Sequence, residues 1–400
     1  MKSVLIGVML LFMAHAVQAQ KAVTIGVLTD MSSLYKDNSG NGSIEAAKMA
    51  VEDFGAANGN DFKVRVVSAD HQNKPDVGAA IARKWFDVDG VDMVVDVPNS
   101  SIALAVSAVA REKNKALFIS SSGSSELTGA SCSPNTVHFT YDTYSLAKIA
   151  ASELVAEGKK SWFFITADYS FGHALERDAS NVVKQAGGVV LGQVRAPINS
   201  SDFSSFLLQA QSTKPDVVAF ANSGADLVTS MKQAAEFGLG RGTQKLAGLL
   251  VFISDVKSLG LSATQGLAYA DAFYWDFDES TRAWSKRFAA RNNGAMPTMG
   301  HAGVYSSVLA YLRGVKETGQ SSDGAAVIKQ LRSTSWDDPL FGKVKLRADG
   351  RALHRMLFVE VKQPAESKGP YDLLNVRKVI RAEDAFRSES DGKCPLTNRN

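Results

Sequence analysis

The sequence predicts an α/β fold with two lobes, each a parallel sheet flanked by helices, joined by a hinge of crossing strands. Short apolar strands alternate with amphipathic helices along the chain, and the same pattern starts again after Leu146. The chain has 400 residues, more than one hydrophobic core usually organises. No low-complexity linker separates the halves, which favours lobes joined by extended segments.

The first half of the chain predicts four strands with helices between them. After the first strand, Ile44, Ala47, Val51 and Phe54 recur at helical spacing. The unbroken apolar run at 91–97 is typical of a strand that is buried on both faces. The predicted strands are 23–28, 62–68, 91–97 and 116–120, and further helices are predicted at 79–86 and 101–110.

The second half predicts a second lobe of the same kind and a return to the first. Its predicted strands are 161–166, 189–194, 217–221 and 246–253. Long helices at 279–292 and 301–317 are expected to pack on the first lobe, and candidate crossings are 138–143, 268–273 and 345–355. We therefore expect lobe 1 to comprise 20–140 and 273–348, and lobe 2 to comprise 141–272 and 349–400.

The N-terminus has the outline of a secretory signal. Lys2 precedes an apolar run from Val4 to Met13 that is too short to span a bilayer, and small residues follow it. We expect residues 1–19 to be removed by cleavage after Ala19, with Ala14-His15-Ala16 as a second cleavage motif and a buried N-terminal element as the structural alternative. No Cys follows, so no lipid anchor is expected.

Composition excludes several classes of function. The formal net charge of +3 falls to +2 without Lys2, from 43 basic and 41 acidic residues, and no basic block occurs, so nucleic acid is not an expected partner. No later apolar stretch approaches the roughly 18 residues of a membrane helix, and we expect a soluble mature protein. In an exported chain, Cys132 and Cys394 are expected to form a disulfide bond, with two free thiols as the alternative.

Polar loops follow two of the predicted strands of the first lobe. Residues 120–128 place several hydroxyls and Gly123 directly after one strand, and Pro98-Asn99-Ser100-Ser101 follows another. Ligands of open parallel sheets bind outside the carboxyl ends of strands, where free amides favour an anion such as a carboxylate. An ordinary surface turn is the alternative for each loop.

The order and spacing of several motifs resemble the periplasmic solute-binding proteins of ABC transporters, in the branch of the leucine/isoleucine/valine-binding proteins. The resemblance covers nearly the whole mature chain and implies the type I periplasmic binding fold, two Rossmann-like lobes that close like a Venus flytrap. The motifs are VTIGVLTDMSS, AAKMAVEDF, FISSSGSSELTG, ADYSFGHAL, GGVVLGQVRAPINSSDFSSFLLQAQSTKPDVVAFANSGAD and GHAGVYSSVLAYLRGVKETG.

The resemblance implies that strand-end loops of the first lobe hold the carboxylate of a ligand. On this sequence it points to Asn99, Ser100, Gly123 and Ser124, while turn formation or helix capping is the alternative for Ser121, Ser122 and Ser125. An aromatic residue after the first strand can cover the ligand, which suggests Tyr35. The crossing FTYDTY contributes Tyr141 and Thr143, and ADYSFG contributes Tyr169, with core packing as the alternative for each Tyr.

The resemblance implies ligand contacts from two loops of the second lobe, one after its third strand and one after the next strand. The sequence departs from the family in both loops. The loop after its third strand offers Asn222, Ser223, Gly224 and Ala225, and Asn222 stands where the amino-acid binders often present a Tyr. Asp255 is a candidate partner for a ligand ammonium, with helix capping as the alternative. Phe252 makes the predicted pocket more apolar than an amino-acid site requires.

Catalytic and cofactor motifs are missing from the sequence. Five histidines remain after the signal without HExxH or close metal spacing, and His173 and His301 suit helix-face or capping roles. No GxSxG elbow or P-loop occurs, and Gly40-Asn41-Gly42 is not followed by the third Gly of a dinucleotide motif. We therefore expect no catalytic residues, no metal and no cofactor.

The expected function is capture of a small ligand between lobes that close around it, for delivery to an ABC importer. The implied partners are a permease pair with its ATPase, the implied location is the periplasm, and we expect a monomer. The resemblance favours an apolar or branched-chain amino acid as ligand. The alternatives are aromatic or other small organic acids, a ligand-sensing regulator of the same fold, and an exported α/β hydrolase.

Overall fold

The computed structural model describes residues 21–59, 62–240 and 242–397. The predicted signal segment, its cleavage site and the first predicted mature residue at position 20 lie outside the described residues. The strands are β1 Lys21–Thr29, β2 Phe62–Asp70, β3 Met93–Asp96, β4 Ala116–Ile119, β5 Thr136–His138, β6 Ser161–Ala167, β7 Val189–Ala196, β8 Val217–Ala221, β9 Lys245–Gly248, β10 Ala268–Asp271, β11 Ser335–Asp338, β12 Gly342–Leu346, β13 Ala352–Leu353, β14 Met356–Val361 and β15 Leu374–Ile380.

Helices connect most of these strands. They are α1 Gly40–Asn58, α2 Pro75–Asp87, α3 Ser100–Glu112, α4 Thr143–Ala156, α5 Ser170–Gln185, α6 Ser204–Thr213, α7 Ala225–Glu236, α8 Ile253–Leu259, α9 Leu261–Thr264, α10 Glu279–Arg291, α11 Met299–Thr318, α12 Gly324–Arg332 and α13 Ala382–Ala385. Within the described ranges, every helix is too short or too polar to cross a membrane.

The first lobe is built on a parallel five-stranded sheet in the order β2-β1-β3-β4-β5. Successive side chains of a strand point to opposite faces, so Met93 and Val95 pack with α1 and α11, while Val94 packs with α2 and α3. Burial on both faces explains why the sequence of β3 is continuously apolar until Asp96.

The second lobe repeats this architecture with a parallel sheet in the order β7-β6-β8-β9. Trp162 and Phe164 of β6 pack with α4 and α5, and Phe163 and Ile165 pack with α6 and α7. The predicted α/β fold with two lobes of parallel sheets flanked by helices is therefore confirmed.

One predicted strand is wrong at its C-terminal end. The interval 246–253 was expected to be a strand, but β9 ends at Gly248 and α8 begins at Ile253. The Asp255 carboxylate accepts a hydrogen bond from the Phe252 amide at 2.9 Å, which caps the first turn of α8. The apolar residues between β9 and α8 are buried as a loop, and their hydropathy alone resembles that of a strand.

Three passages of chain connect the two sheets. The first follows β5, where residues 139–142 lead from the first sheet into α4. The second is β10, which pairs antiparallel with β14, and β15 completes this small sheet. In the third predicted crossing, the interval 345–355 holds the β12–β13 hairpin, and His354 and Arg355 lead on into β14. The predicted lobe boundaries stay a prediction.

Buried polar contacts fix the first and third passages to each other. The fully buried guanidinium of Arg351 lies 3.6 Å from the Asp142 carboxylate and donates to the Phe139 carbonyl oxygen. The His354 ring bonds the same carbonyl oxygen at 2.9 Å. Burial lowers the pKa of His354 to about 4, so this ring is neutral at physiological pH.

The C-terminal segment is joined to the first lobe covalently. Cys132 and Cys394 form the predicted disulfide bond, with their Cα atoms 5.7 Å apart and 262 positions apart in sequence. Near the bond, the Arg387 guanidinium donates to the Ser125 carbonyl oxygen. The bond therefore holds the end of the described chain against the loop that follows β4.

Candidate functional site

A narrow cavity lies between the two lobes, at the carboxyl ends of the strands of both sheets. The cavity has a volume of about 10 Å³, which is room for about one water molecule. No cavity-lining residue in the described part of the chain carries a charged side chain. The place is the one where parallel α/β sheets bind ligands, and its walls are aromatic, hydroxylic and uncharged.

The loop after β4 forms the polar wall of the first lobe. The Ser121 hydroxyl donates to the Asp96 carboxylate at 2.5 Å, and the Ser122 hydroxyl donates to the Val97 carbonyl oxygen. The backbone amides of Ser122 and Gly123 have no hydrogen-bond partner among the described residues. These two amides are therefore available to a ligand acceptor.

Ser100 lies beside this loop as the first residue of α3, and both Ser100 and Gly123 line the cavity. The Ser100 hydroxyl oxygen accepts a hydrogen bond from the Ser124 amide at 3.1 Å, which leaves the Ser100 hydroxyl hydrogen free to donate. The positive end of the α3 dipole points to the same place. Free amides, a hydroxyl donor and a helix N-terminus together form a cradle for a carboxylate, which we call the anion cradle.

Gly123 allows the backbone to approach two aromatic rings. A Cβ atom at this position would lie 2.9 Å from the Phe171 ring and 3.1 Å from the Tyr141 ring. The Tyr141 hydroxyl donates to the Ser121 carbonyl oxygen at 2.7 Å, which holds the ring over the loop. A side chain at position 123 would separate the anion cradle from the aromatic wall.

A buried carboxyl group lies directly behind the anion cradle. Asp96 ends β3 with a φ of +87°, and Val97 follows with a φ of +55°, both in the left-handed region that non-glycine residues avoid. Burial raises the pKa of Asp96 to about 6, although the Ser121 hydroxyl favours its charged form. Strained backbone is concentrated at functional sites, and these two residues set the direction of the chain into Pro98 and α3.

Two tyrosines meet across the cavity from opposite lobes. The hydroxyl groups of Tyr35, from the loop after β1, and Tyr169, at the start of α5, are in direct hydrogen-bonding contact. The Asp30 carboxylate fixes the first loop, because it accepts hydrogen bonds from the amides of Ser33 and Tyr35 at 2.8 and 2.9 Å. Burial raises the pKa of both tyrosines, so both hydroxyls keep their protons.

The second lobe contributes Ser223, Leu250 and Phe252 to the cavity. Phe252 packs edge-on against Tyr141, with ring centroids 6.2 Å apart. Ser223 is 3% exposed, and its hydroxyl has no hydrogen-bond partner among the described residues. This wall therefore combines apolar surface with one unused hydroxyl group.

Gly224 brings the second lobe into contact with the first. Its φ is +62°, and a Cβ atom there would lie 2.6 Å from the Leu34 carbonyl oxygen and 3.1 Å from the Tyr35 ring. Further contacts between the lobes join Ser101 to Ser170 through their hydroxyls at 2.8 Å, and the Ser254 hydroxyl to the Asn38 side-chain oxygen at 2.5 Å.

Seven of the residues that the resemblance suggested as ligand contacts line the cavity, namely Tyr35, Ser100, Gly123, Tyr141, Tyr169, Ser223 and Phe252. Asn99, Ser124, Thr143, Asn222, Gly224 and Asp255 do not line it, although Gly224 touches the loop that carries Tyr35.

The polar side chains outside the cavity are occupied with local structure. Asn99 caps α3 by accepting the Ser101 amide at 2.8 Å, and Ser124 caps a 3-10 turn. The Thr143 hydroxyl donates to the Asp178 carboxylate at 2.6 Å. The Asn222 side-chain nitrogen donates to the Ser230 hydroxyl at 3.1 Å, while its side-chain oxygen has no hydrogen-bond partner among the described residues. Asp255 caps α8, and burial raises the pKa of its carboxyl group to about 7.

Sequence reasoning missed five residues that line the cavity: Asn38, Ser39, Pro98, Phe171 and Leu250. Pro98 and Phe171 adjoin predicted residues, so their position after a strand was a usable signal. Asn38 and Leu250 reach the cavity through loop conformations that hydropathy and spacing do not reveal. Within residues 21–59, 62–240 and 242–397, no group of His, Cys, Asp and Glu side chains has the geometry of a metal site.

Comparisons with known proteins agree with this geometry. A family model described as "Periplasmic binding protein" matches residues 22–370. The crystal structure of a periplasmic binding protein from Burkholderia mallei is 47% identical and superposes with a TM-score of 0.90, covering 94% of this chain and 99% of that one.

Two more distant similar proteins are described by different ligands of their own. A Leu/Ile/Val-binding protein homologue from Brucella melitensis is 24% identical over 320 residues, covering 78% of this chain and 81% of its own length. A solute-binding protein of an ABC transporter from R. palustris, solved in complex with benzoate, is 20% identical with a TM-score of 0.80, covering 94% of this chain and all of that one. The resemblance inferred from the sequence motifs is thereby confirmed.

Proposed function

Because the chain belongs to the periplasmic binding protein family, we propose that it captures a small carboxylic acid between its lobes and delivers it to an ABC importer. The family and the fold are those of ligand-binding transport components rather than enzymes. The observation that carries the proposal is the anion cradle, in which two unpartnered amides, the Ser100 hydroxyl and the N-terminus of α3 converge on one cavity.

The walls of the cavity favour an acid without an ammonium group, most simply an aromatic acid. An ammonium taken out of water needs acceptors or a negative partner. Asp255, the candidate for that role, is absent from the cavity lining and its carboxylate accepts the Phe252 amide. The rings of Tyr141, Phe171 and Phe252 instead offer flat apolar surface for the body of the ligand.

An apolar or branched-chain amino acid, which the sequence resemblance favours, is the second candidate. Its support is the name of the Brucella relative, a Leu/Ile/Val-binding protein homologue. In this case, uncharged oxygens of the walls, from hydroxyl, amide or backbone carbonyl groups, would have to accept the ammonium, since the lining residues of the described chain include no acidic side chain. The benzoate complex of the R. palustris protein shows that this fold accommodates an aromatic acid.

Binding proceeds in this proposal by closure of the lobes around the ligand. The contacts of Tyr35 with Tyr169, Ser101 with Ser170 and Asn38 with Ser254 join the two cavity walls. The cavity has a volume of only about 10 Å³. A small carboxylic acid therefore enters only when these contacts open. A ligand that touches both walls then favours the closed form through its differential contacts.

The remaining parts of the proposal concern the cellular context. Family membership supports a periplasmic location, reached through removal of residues 1–19, and delivery to a permease pair with its ATPase. The closed shape is the form that the permease recognises, and the protein acts as a monomer. A ligand-sensing regulator of the same fold is the alternative at this level.

A thermal-shift screen of refolded protein tests the proposed ligand class. Refolding removes any ligand that remains bound during purification. At 100 times its dissociation constant, a ligand stabilises the native state by about 2.7 kcal/mol, which raises the Tm clearly. We expect aromatic acids to raise the Tm and amino acids, amides and sugars to leave it unchanged.

Asp255→Asn is the matched variant for this screen, because the Asn side-chain oxygen still accepts the Phe252 amide. We expect the shift caused by an aromatic acid to be the same in this variant as in the native protein. A Tm increase with branched-chain amino acids in the native protein would establish the second candidate, and its loss in Asp255→Asn would assign the ammonium to Asp255. No shift with any class would contradict capture of a small acid.

A further inference from the structure

We propose that the ligand carries a second, uncharged oxygen, a hydroxyl group, at the end remote from its carboxylate, and that Ser223 binds this oxygen. The inference deepens the proposed function and rests on it, since it assumes that the carboxylate occupies the anion cradle. It assigns the ligand to the hydroxylated aromatic acids rather than to their unsubstituted parents.

The first argument is the unused hydroxyl group of Ser223. The side chain is 3% exposed and lines the cavity, and its oxygen has no hydrogen-bond partner among the described residues. Buried hydroxyl groups normally have partners, and an unsatisfied one destabilises the folded state. By contrast, the Ser121 and Ser122 hydroxyls are already bonded to Asp96 and to Val97. Ser223 is therefore a polar group in the cavity that still needs a partner.

The second argument is the position of Ser223 relative to the anion cradle. Ser223 follows β8 of the second sheet, whereas Ser100 and Gly123 follow β3 and β4 of the first. The two polar groups thus belong to opposite walls of the cavity. The aromatic rings that also line the cavity, including Phe171 and Phe252, suit the apolar body of a ligand whose two ends are polar.

The third argument is the tyrosine pair close to Ser223. Gly224, the next residue, approaches the Tyr35 ring, since a Cβ atom there would lie 3.1 Å from it. The contact between the hydroxyls of Tyr35 and Tyr169 uses one of their two hydrogens, which leaves the other to donate. A ligand hydroxyl can accept that hydrogen and donate its own to Ser223.

The charge around this end of the cavity favours a neutral oxygen over a second carboxylate. The lining residues of the described chain provide no cation. Asp226, buried near Tyr35 and Tyr169, accepts the Asn199 amide at 3.1 Å and would repel an anion when ionised. A phenolic or aliphatic hydroxyl avoids this repulsion.

Titration calorimetry with matched acids tests the inference. The probes are benzoate and phenylacetate, each compared with its 3-hydroxy and 4-hydroxy derivatives, on refolded native protein and on Ser223→Ala. We expect at least one hydroxy acid to bind about 5- to 10-fold more tightly than its parent. In Ser223→Ala this advantage should disappear, while the Kd of the parent acid changes less than about 2-fold.

Ser100→Ala is the matched control, because it removes the same atom from the opposite wall. It should weaken a hydroxy acid and its parent by the same factor and leave their ratio unchanged. Equal affinity of every parent and derivative for the native protein, or an unchanged ratio in Ser223→Ala, would overturn the inference while the proposed function stands. If none of these acids binds the native protein, the assignment to aromatic acids and this inference both fail, while the thermal-shift screen still decides capture of any other small acid.

Discussion

Gly224 is the residue on which closure of the lobes depends most directly. We predict that Gly224→Ala lowers ligand affinity at least about 10-fold, because the added Cβ would lie 2.6 Å from the Leu34 carbonyl oxygen. The substitution disfavours the closed form, and the apparent affinity falls with the population of the form that binds. Titration calorimetry with the ligand found in the screen measures this change.

Gly294→Ala is the control for this variant. Gly294 also has a positive φ, +78°, but a Cβ atom there would meet nothing within 4 Å. Both variants place Ala at a positive φ, which side chains disfavour, and only Gly224→Ala also obstructs closure. Unchanged affinity in Gly224→Ala would show that the contact between Gly224 and Leu34 plays no part in binding.

Asp271 gives a pH-dependent prediction at the end of β10. Burial raises the pKa of its carboxyl group from 3.8 to about 8, so between these values the native state keeps a proton that the unfolded state has lost. The contribution of Asp271 to stability is therefore present at low pH and is lost as the pH rises towards 8. We predict that Asp271→Asn, which still accepts the Phe273 amide, is more stable than the native protein by at least about 1 kcal/mol at pH 8 and equally stable at pH 4.

Urea unfolding of the native protein and Asp271→Asn at pH 4, 6 and 8 measures this difference. Comparison with the variant isolates Asp271 from the other buried carboxyl groups, including Asp96 and Asp255. A constant difference between the two proteins across this pH range would contradict a raised pKa at Asp271.

At the residue scale, sequence reasoning located the loops of the site better than the atoms that face it. Asn99, Ser124 and Asp255 were sensible candidates because polar residues at strand ends can bind ligands. Polar residues at those places also cap helices and turns, and all three side chains do so here. The two roles use the same residue types, and only the direction of each side chain separates them.

At the element scale, the start of α4 combines a helix cap with a buried ion pair. The Asp142 carboxylate accepts the Ser145 amide at 2.7 Å and faces Arg351 at 3.6 Å. We predict that Asp142→Ala lowers the free energy of unfolding by about 3–5 kcal/mol, since it leaves the fully buried Arg351 unpaired. Arg351→Met should have a similar effect, and the double variant should lose less than the sum of the two by about 1–3 kcal/mol.

Urea unfolding of the two single variants and the double variant completes this double-mutant cycle. Glu52→Ala is the surface control, because it breaks the exposed pair with Arg291 and should change stability by less than about 1 kcal/mol. Strict additivity of Asp142→Ala and Arg351→Met would mean that the pair does not couple the two passages of chain between the sheets.

In the described chain, eight of the nine strands of the two parallel sheets were predicted from the sequence, because buried parallel strands leave short apolar runs such as β3 and β8. The error at 246–253 has the same origin, since the buried loop after β9 is as apolar as a strand. The three-residue strand β5 was not predicted. The antiparallel sheet of β11, β12 and β13 was not predicted. It pairs short strands of alternating burial, which provide a weak signal.

At the scale of the whole molecule, the disulfide bond ties the C-terminal segment to the first lobe. We predict that the double variant Cys132→Ser and Cys394→Ser loses about 2–5 kcal/mol of unfolding free energy, because the bond constrains a long loop of the unfolded chain. Ligand affinity should stay within about 2-fold, since neither cysteine lines the cavity.

Chemical unfolding of the double variant and of the native protein without reductant measures this loss. Titration of free thiols in the unreduced, denatured native protein should detect none. Two reactive thiols, or equal stability of the two proteins, would contradict a structural role for the bond.

The central claim is that two lobes close around a small carboxylic acid without an ammonium group. The most direct test is titration calorimetry of refolded protein with benzoate, 4-hydroxybenzoate and isoleucine under identical conditions. The account predicts that an aromatic acid binds with a Kd of about 1 µM or lower and that isoleucine binds at least about 10-fold more weakly. Tighter binding of isoleucine than of both acids would contradict the account, because it would mean that uncharged oxygens of the cavity walls hold an ammonium group.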